Sequence, residues 1–237
     1  MNLNSKKNYF QFKQFGLYQG GNGLKFGTDA SILGASMNLD SSVKTVLDIG
    51  AGTGVLALML AQKSDAQIDG LELDAEAYAI TKENFANSPW QNRLRAIHQD
   101  LQSFQHEPYD FILSNPPYFE NDLPSQKPSI NLAKHQQSLN LRDFVVHTAR
   151  LSHQLTKIAV ILPCESMKQL VIGYLKYNFF PCDELEICSF NDSEPIRTLM
   201  IFSQQKNGFE KEKLAVYEQK NVKSNAMKKL LEPYLLS

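Results

Sequence analysis

From Val43 onward, short apolar runs alternate with stretches whose apolar residues recur every three or four positions. The first pattern is that of buried strands, the second that of helices packed on them. Val43–Ile49 reads as a strand, Thr53–Gln62 as a helix and Gln67–Leu71 as a second strand. Asp74 suits the N-cap of a helix reaching about Asn87, since its carboxylate can accept from the free amides of a first turn. Arg93–Gln99 and Tyr109–Ser114 continue as strands. The polar stretch Glu120–Asn140 has no clear period, and a loop of that length in a compact domain is usually functional or disordered. A helix over Leu141–Gln154, a strand over Lys157–Leu162 and a helix over Cys164–Tyr177 follow. Phe180–Phe190 and Arg197–Ser203 flank the turn cluster Asn191-Asp192-Ser193-Glu194-Pro195 and predict an antiparallel pair at the sheet edge. Ser224–Leu236 predicts a short basic helix. Alternation of this kind requires an α/β, doubly wound architecture, with helices on both faces of a mostly parallel sheet.

A chain of 237 residues with 43% hydrophobic content can bury a sizeable core as one large domain. No apolar run is long enough to cross a bilayer, and Met1–Lys7 lacks the apolar core of a secretory signal. Cys164, Cys182 and Cys188 show no metal-ligand spacing and cannot all pair, which predicts a reduced, cytoplasmic setting, with no metal. The net charge of −1 hides an uneven distribution: +4 over residues 1–28, +3 over 206–237 and −8 between. Basic ends around an acidic centre suit a polyanion held at the periphery, and equally suit lysine-rich termini that keep a protein soluble.

Two motifs carry chemistry. Asp48-Ile49-Gly50-Ala51-Gly52-Thr53-Gly54 lies between the first strand and the first helix, where Gly50, Gly52 and Gly54 permit a tight turn and close approach of a ligand. Glu72 stands eighteen positions beyond Gly54, near where a ribose-binding carboxylate falls in dinucleotide folds. The glycine spacing is G-x-G-x-G and not the G-x-G-x-x-G of dinucleotide sites, which favours S-adenosylmethionine. On that reading the loop wraps the amino-acid end, and Asp48 braces the loop or holds the ammonium. Glu72, with Leu73 beside it, takes the ribose hydroxyls. Asp100 accepts from the adenine amine, unless it is only a helix N-cap, and Leu101 packs on the ring.

The second motif, Asn115-Pro116-Pro117-Tyr118, follows the strand Tyr109–Ser114 directly. Two prolines cannot continue a central strand, so the strand ends there, at the sheet edge where ligands bind in open α/β folds. The tetrapeptide reads as a rigid turn or as a site for methyl transfer to a planar NH₂ group. Such an amine is a poor nucleophile because its lone pair is delocalised. The Asn115 side-chain oxygen and the Pro116 carbonyl can each accept one N–H and draw the nitrogen toward tetrahedral geometry, with Tyr118 stacking on the substrate.

This order of motifs resembles the class I AdoMet-dependent methyltransferases, in their amino-methylating branch. Phe10-Gln11-Phe12-Lys13-Gln14-Phe15, the run Leu24–Ala35 containing Gly27-Thr28-Asp29, Asn115–Phe119, Lys134-His135 and Pro195-Ile196-Arg197 are similar to the bacterial family that methylates adenine 37 beside the anticodon of a valine tRNA. Leu24-Lys25-Phe26 and Lys134-His135 depart from the family's usual Met-Lys-Val and Arg-His while keeping size or charge. The resemblance implies a Rossmann-like fold with a seven-stranded sheet and an antiparallel edge hairpin. It also implies a tRNA partner without membrane or obligatory protein partner, and N6 methylation of adenosine. Residues 1–40 would close over the cofactor and contact RNA, with Thr28, Asp29 and Asn115 touching the cofactor. Residues 41–205 would form the core and 206–237 a basic extension packed on it. The target base must leave its stack, and Tyr118 and Phe119 are placed to receive it. Lys6, Lys7, Lys13, Lys25 and the C-terminal lysines can track phosphates, and Arg197 reads as a phosphate clamp or a solvated charge. His135 reads as a loop residue rather than a catalyst, and Phe10, Phe12 and Phe15 as packing anchors.

Competing readings share parts of this evidence. A protein glutamine N5-methyltransferase acting on a release factor would use the same tetrapeptide, but usually carries a helical N-terminal domain where this chain has about forty residues before its first strand. DNA adenine methylation would call for a target-recognition insertion, and ribosomal guanine methylation commonly has Phe at the place of Tyr118. A non-catalytic RNA-binding module would have lost Asn115, a loop glycine or Glu72. A nicotinamide oxidoreductase would be separated by which nucleotide protects the protein against heat.

Overall fold

A computed structural model describes residues 8–20, 26–116, 140–206 and 208–236. The chain opens with a hairpin of two short strands, β1 (Tyr9–Gln11) and β2 (Gly16–Tyr18), followed by helix α1 (Thr28–Ser36). Alternating units follow: β3 (Thr45–Ile49), α2 (Val55–Ala61), β4 (Gln67–Glu72), α3 (Ala75–Ala86), β5 (Leu94–His98) and β6 (Tyr109–Ser114). After the undescribed residues 117–139 come α4 (Leu141–Arg150), β7 (Ser152–Leu162), α5 (Cys164–Leu175), β8 (Phe180–Cys188), β9 (Pro195–Ser203) and β10 (Glu210–Ala215). A small hairpin, β11 (Tyr217–Gln219) with β12 (Val222–Lys223), leads into α6 (Asn225–Leu231).

The main sheet runs β10-β8-β9-β7-β6-β3-β4-β5. β9 is antiparallel to both neighbours, and every other adjacent pair is parallel. Period-two alternation sorts the strand side chains onto two faces. Val46, Ile68, Phe111, Leu113 and Ile161 pack with α1, α2, α6 and the hairpin rings Phe12 and Phe15. Leu47, Ile49, Ile112, Ile158 and Val160 pack with α4 and α5, through Phe144, Val145, Leu170 and Tyr174.

The doubly wound α/β sheet with its antiparallel strand pair is as the sequence predicts, but it has eight strands among the described residues, not seven. The eighth, β10, pairs parallel to the outer side of β8, so the β8–β9 pair does not form the edge. The helix expected over Leu141–Gln154 ends at Arg150. Pairing wins there: Tyr109 lies opposite Ser152, and the buried Thr156 hydroxyl donates to the Tyr109 carbonyl at 2.6 Å, drawing residues 152–156 into β7. Asp74 caps α3 as expected, accepting from Ala77 N–H at 2.8 Å. The last helix is capped by Ser224 and stops before Pro233, which cannot continue it. Among the described residues, no helix is long and apolar enough to cross a membrane.

Candidate active site

Strand register gathers the two motifs. Ile49 at the end of β3 lies opposite Leu71 on β4 and Ser114 on β6. The glycine loop therefore emerges between Glu72 and Asn115. His98, at the end of β5, lies opposite Glu72, with Asp100 two residues further on. At about 4.8 Å per strand, Asn115 and Asp100 stand three strand spacings apart, roughly 15 Å, with the loop between them.

Gly50, Gly52 and Gly54 have φ of 72°, 60° and 78°, in the left-handed region that L side chains avoid. Their surroundings differ. A Cβ at Gly50 would meet nothing within 4 Å, and one at Gly52 only the Gly50 carbonyl at 3.9 Å, whereas one at Gly54 would lie 2.6 Å from the Phe85 ring. The first two leave an open cradle; the third lets α2 approach α3.

The loop is braced from outside. Glu72 Oε2 accepts from Gly52 N–H at 2.8 Å, and Oε1 accepts from the Leu73 and Asp74 N–H groups, both at 2.9 Å. Three of a carboxylate's roughly four lone-pair sites are thus used by the backbone. The Thr81 hydroxyl donates to the Gly52 carbonyl at 2.8 Å. Buried Asn84 donates to the carbonyls of Thr53 and Tyr18, both at 2.8 Å, and accepts from Tyr18 N–H at 2.9 Å, joining the loop to the N-terminal hairpin. Thr81 and Asn84 belong to neither sequence motif. Their signal was a pair of polar residues on the stripe Ala77, Ile80, Thr81, Asn84, whose spacing marks the buried face of a helix.

Asp48, on β3 just before the loop, is 0% exposed, and neither carboxylate oxygen has a hydrogen-bond partner. Burial pushes its pKa up from 3.8 to about 7; the Ala57 amide, outside hydrogen-bond geometry, opposes this only in part, and the Glu72 charge adds to it. A cation closing over the loop would relieve that carboxylate. Leu73, 49% exposed, is an uncovered apolar side chain beside Glu72. Asp100 Oδ1 accepts from Gln102 N–H at 3.0 Å, a turn-capping bond, while Leu101 lies largely inside the core on the α4–α5 face. An open glycine cradle, an unsatisfied acid, an exposed apolar ledge and a half-buried carboxylate in sequence along one edge suit an amino-acid-bearing nucleoside.

A cavity of about 380 Å³ lies at this edge, lined by Gly27, Thr28, Asp29, Asn115, Pro116, Ile196 and Arg197. It brings Thr28 and Asp29, from the first turn of α1, together with Asn115, Pro116 and Arg197. Ser114, just before Asn115, is buried and donates to the Ile49 carbonyl at 2.8 Å, fixing the end of β6 to the end of β3. Arg197 Nε donates to Asp29 Oδ2 at 3.0 Å, across the cavity wall. Lys13 is engaged elsewhere: its backbone N–H donates to the Tyr234 carbonyl at 2.7 Å and its ammonium to the Glu232 carbonyl at 2.5 Å. Phe12 and Phe15 are buried and stacked, with ring centroids 4.4 Å apart, and Phe10 packs against Phe12 and Phe26. Pro117, Tyr118, Phe119, Lys134 and His135, with Lys6, Lys7 and Lys25, lie outside the described residues. Among the described residues no cluster of three or more His, Cys, Asp or Glu could hold a metal ion.

Known proteins resemble the chain in both fold and sequence. The structure is similar to that of a predicted O-methyltransferase, Atu636, from Agrobacterium tumefaciens, with a TM-score of 0.65 at 14% identity, over 86% of this chain and 95% of that one. It is also similar to the glycopeptide N-methyltransferase MtfA complexed with S-adenosylmethionine, with a TM-score of 0.54 at 12% identity, over 76% and 96%. These establish a class I methyltransferase fold. Residues 24–136 match the family model of the methyltransferase small domain. Proteins named tRNA1(Val) (adenine(37)-N6)-methyltransferase are 34% identical in Flavobacterium psychrophilum, over 90% of this chain and 93% of the relative. Identity is again 34% in Histophilus somni strain 129Pt, over 98% and 99%, and 37% in Flavobacterium johnsoniae, over 82% and 84%. With near full-length similarity of this kind, and with the glycine loop and Asn115-Pro116 meeting at one sheet edge, the chain belongs to the tRNA1(Val) (adenine(37)-N6)-methyltransferase family.

Proposed function

We propose that this chain transfers the methyl group of S-adenosylmethionine to the exocyclic N6 amine of adenosine 37 in a valine tRNA. The observation that carries the reading is the cavity in which Asn115 and Pro116 meet the first turn of α1, one strand spacing from the glycine loop. S-Adenosylmethionine, when bound, supplies an electrophilic methyl group on a sulfonium. The open backbone at Gly50 and Gly52 receives its amino-acid end, and the unsatisfied Asp48 carboxylate favours a positive charge above the loop. Glu72 has one lone-pair site left for a ribose hydroxyl, Leu73 offers an apolar face, and Asp100 accepts from an amine. Thr28 and Asp29 close the near side.

The remaining task is to activate the amine. The Asn115 side-chain oxygen and the Pro116 carbonyl accept its two N–H groups. That turns the nitrogen lone pair out of the ring's π system without requiring a strongly basic side chain. Fixed acceptors cost no reorganisation during the reaction. Tyr118 and Phe119 are, by residue type and position in the motif, the aromatic side chains to stack on the base, in a contact worth ~1–3 kcal/mol for each base. The basic terminal segments bring the RNA phosphates close, so binding weakens with salt, while Arg197 and Lys13 are held by contacts within the protein. The reaction is cytoplasmic, in keeping with the unpaired thiols of Cys164, Cys182 and Cys188.

The test is nucleoside mass spectrometry on unmodified tRNA incubated with the protein and isotopically labelled S-adenosylmethionine. Labelled N6-methyladenosine confined to the valine tRNA fraction is the expected result. Label appearing in an added release factor and in no tRNA would move the substrate to protein glutamine.

A further inference from the structure

The register between β8 and β9 breaks beside the cavity. Ile187 lies opposite Arg197, but the next residue, Cys188, lies opposite Pro195, which leaves Ile196 as the extra residue of a β-bulge. On a regular strand, residues 196 and 197 would point to opposite faces. Here both line the same cavity as Asn115 and Pro116. A bulge re-aims side chains in this way, and bulges are over-represented next to active sites.

The bulge is also pinned. Arg197 donates through Nη1 to the Ile196 carbonyl at 2.9 Å and through Nε to Asp29 at 3.0 Å, so one guanidinium fixes the bulge backbone and ties it to α1. Arg197 and Asp29 are only 24% and 23% exposed, which shields the pair from solvent. Ile196 itself is 48% exposed, the most open position of a strand that is otherwise buried or half-buried. Its β-branched side chain is stiff at χ1, so it forms a fixed apolar wall. That wall shares a cavity with the paired acceptors at Asn115 and Pro116. Apolar surface left wet beside two acceptors matches a flat base that carries an exocyclic amine.

We propose that Ile196 is a substrate-contact residue: the bulge aims it so that the extruded adenine packs one face against its side chain while the base edge reaches Asn115. This rests on the adenosine-methylating function proposed above. The contact is with the base and not the cofactor, so its loss is read in RNA binding.

The experiment compares wild type with Ile196→Ala, Ile196→Val and Ile196→Leu on an anticodon stem-loop and on full-length tRNA. S-Adenosylmethionine affinity and thermal midpoint are measured in parallel. A second readout uses a stem-loop with 2-aminopurine at the target position, whose fluorescence reports unstacking and repacking of that base. Ile196→Ala should raise KM for RNA about tenfold, the scale expected for removing part of an apolar contact. It should leave kcat within about threefold and alter the 2-aminopurine signal, with cofactor affinity and thermal midpoint unchanged. Ile196→Val should fall between, and Ile196→Leu should recover most of the loss. If Ile196→Ala fails to fold, the Val and Leu variants decide by the same readouts. An active wild type with unchanged KM and fluorescence in the variants would overturn this inference alone. Variants that lose cofactor binding and RNA binding together would reduce Ile196 to a structural role and overturn it as well. A wild type that methylates neither RNA would overturn the proposed function, and this inference with it.

Discussion

Asp48→Asn should make the ligand-free protein more stable at pH 8, although the site it alters is the one proposed to hold the cofactor. The carboxylate is fully buried without a hydrogen-bond partner, and its pKa stands at about 7 against an ordinary 3.8. The folded state therefore binds this proton more tightly than the unfolded chain. Its contribution to stability is whole below pH 3.8 and is lost as pH rises through 7. At about 1.4 kcal/mol per pH unit, the loss approaches roughly 4 kcal/mol at pH 8. An Asn side chain removes the charge but leaves a buried amide unsatisfied, which costs about 1–3 kcal/mol. The expected net gain at pH 8 is about 2 kcal/mol, or about 4–8 °C in Tm for a chain of this size. Below pH 5 the variant should be no more stable than wild type. Urea unfolding of both proteins at several values between pH 5 and 8, without ligand, measures the difference. Parallel pH profiles, or an Asn variant less stable than wild type at pH 8, would refute the assignment of an uncompensated buried charge. S-Adenosylmethionine should then stabilise wild type more than the variant, because its ammonium offsets the charge that only wild type carries.

Asn115→Ala should lower kcat by at least about a hundredfold, the scale of losing one fixed acceptor at a reacting group. Its S-adenosylmethionine Kd by calorimetry should stay within about threefold of wild type. Gly54→Ala should cost about 3 kcal/mol in urea unfolding, since its Cβ would lie 2.6 Å from the Phe85 ring at a φ of 78°. Gly50→Ala, with open space around its Cβ, should cost only about 1 kcal/mol of stability, from its left-handed φ alone, while weakening cofactor binding more than Gly54→Ala does in the folded fraction. Asn84→Ala strands the Thr53 carbonyl and both backbone groups of Tyr18. It should destabilise by about 3 kcal/mol and speed hydrogen exchange at the Tyr18 amide before any change in α5.

The elements legible in the sequence are those whose evidence is local. Tyr109–Ser114 is apolar enough to be buried on both faces and ends at two prolines, so its limits are fixed from within. Asp74 announces α3 through its own side chain. β10 was missed because it alternates charges, and only the neighbouring strand explains them: Lys211 reaches Glu184 and Glu186 on β8, at 3.3 and 2.8 Å. The first residues of β7 are illegible for a similar reason, since their pairing partner Tyr109 lies more than forty residues upstream of Ser152. At the site, glycines and carboxylates declare themselves by type and spacing. Asn84 and Thr81 act through distant carbonyls, and the position of Ile196 depends on how two strands are offset.

The bonds from Lys13 to the carbonyls of Glu232 and Tyr234 bear on how the protein is made. The hairpin carrying Lys13 is synthesised well ahead of its partners, 219 residues separating Lys13 from Glu232. At about 5–20 residues per second, roughly 10–45 s separate the two during translation. Throughout that interval Phe12, Phe15 and Leu17, all buried in the finished fold, lack part of the surface that covers them. Asn84 takes two of its three bonds from the same hairpin, through Tyr18. Until Glu232 and Tyr234 are made, the hairpin that braces the cofactor loop through Asn84 is therefore held by fewer bonds, and the loop rests on Glu72 and Thr81.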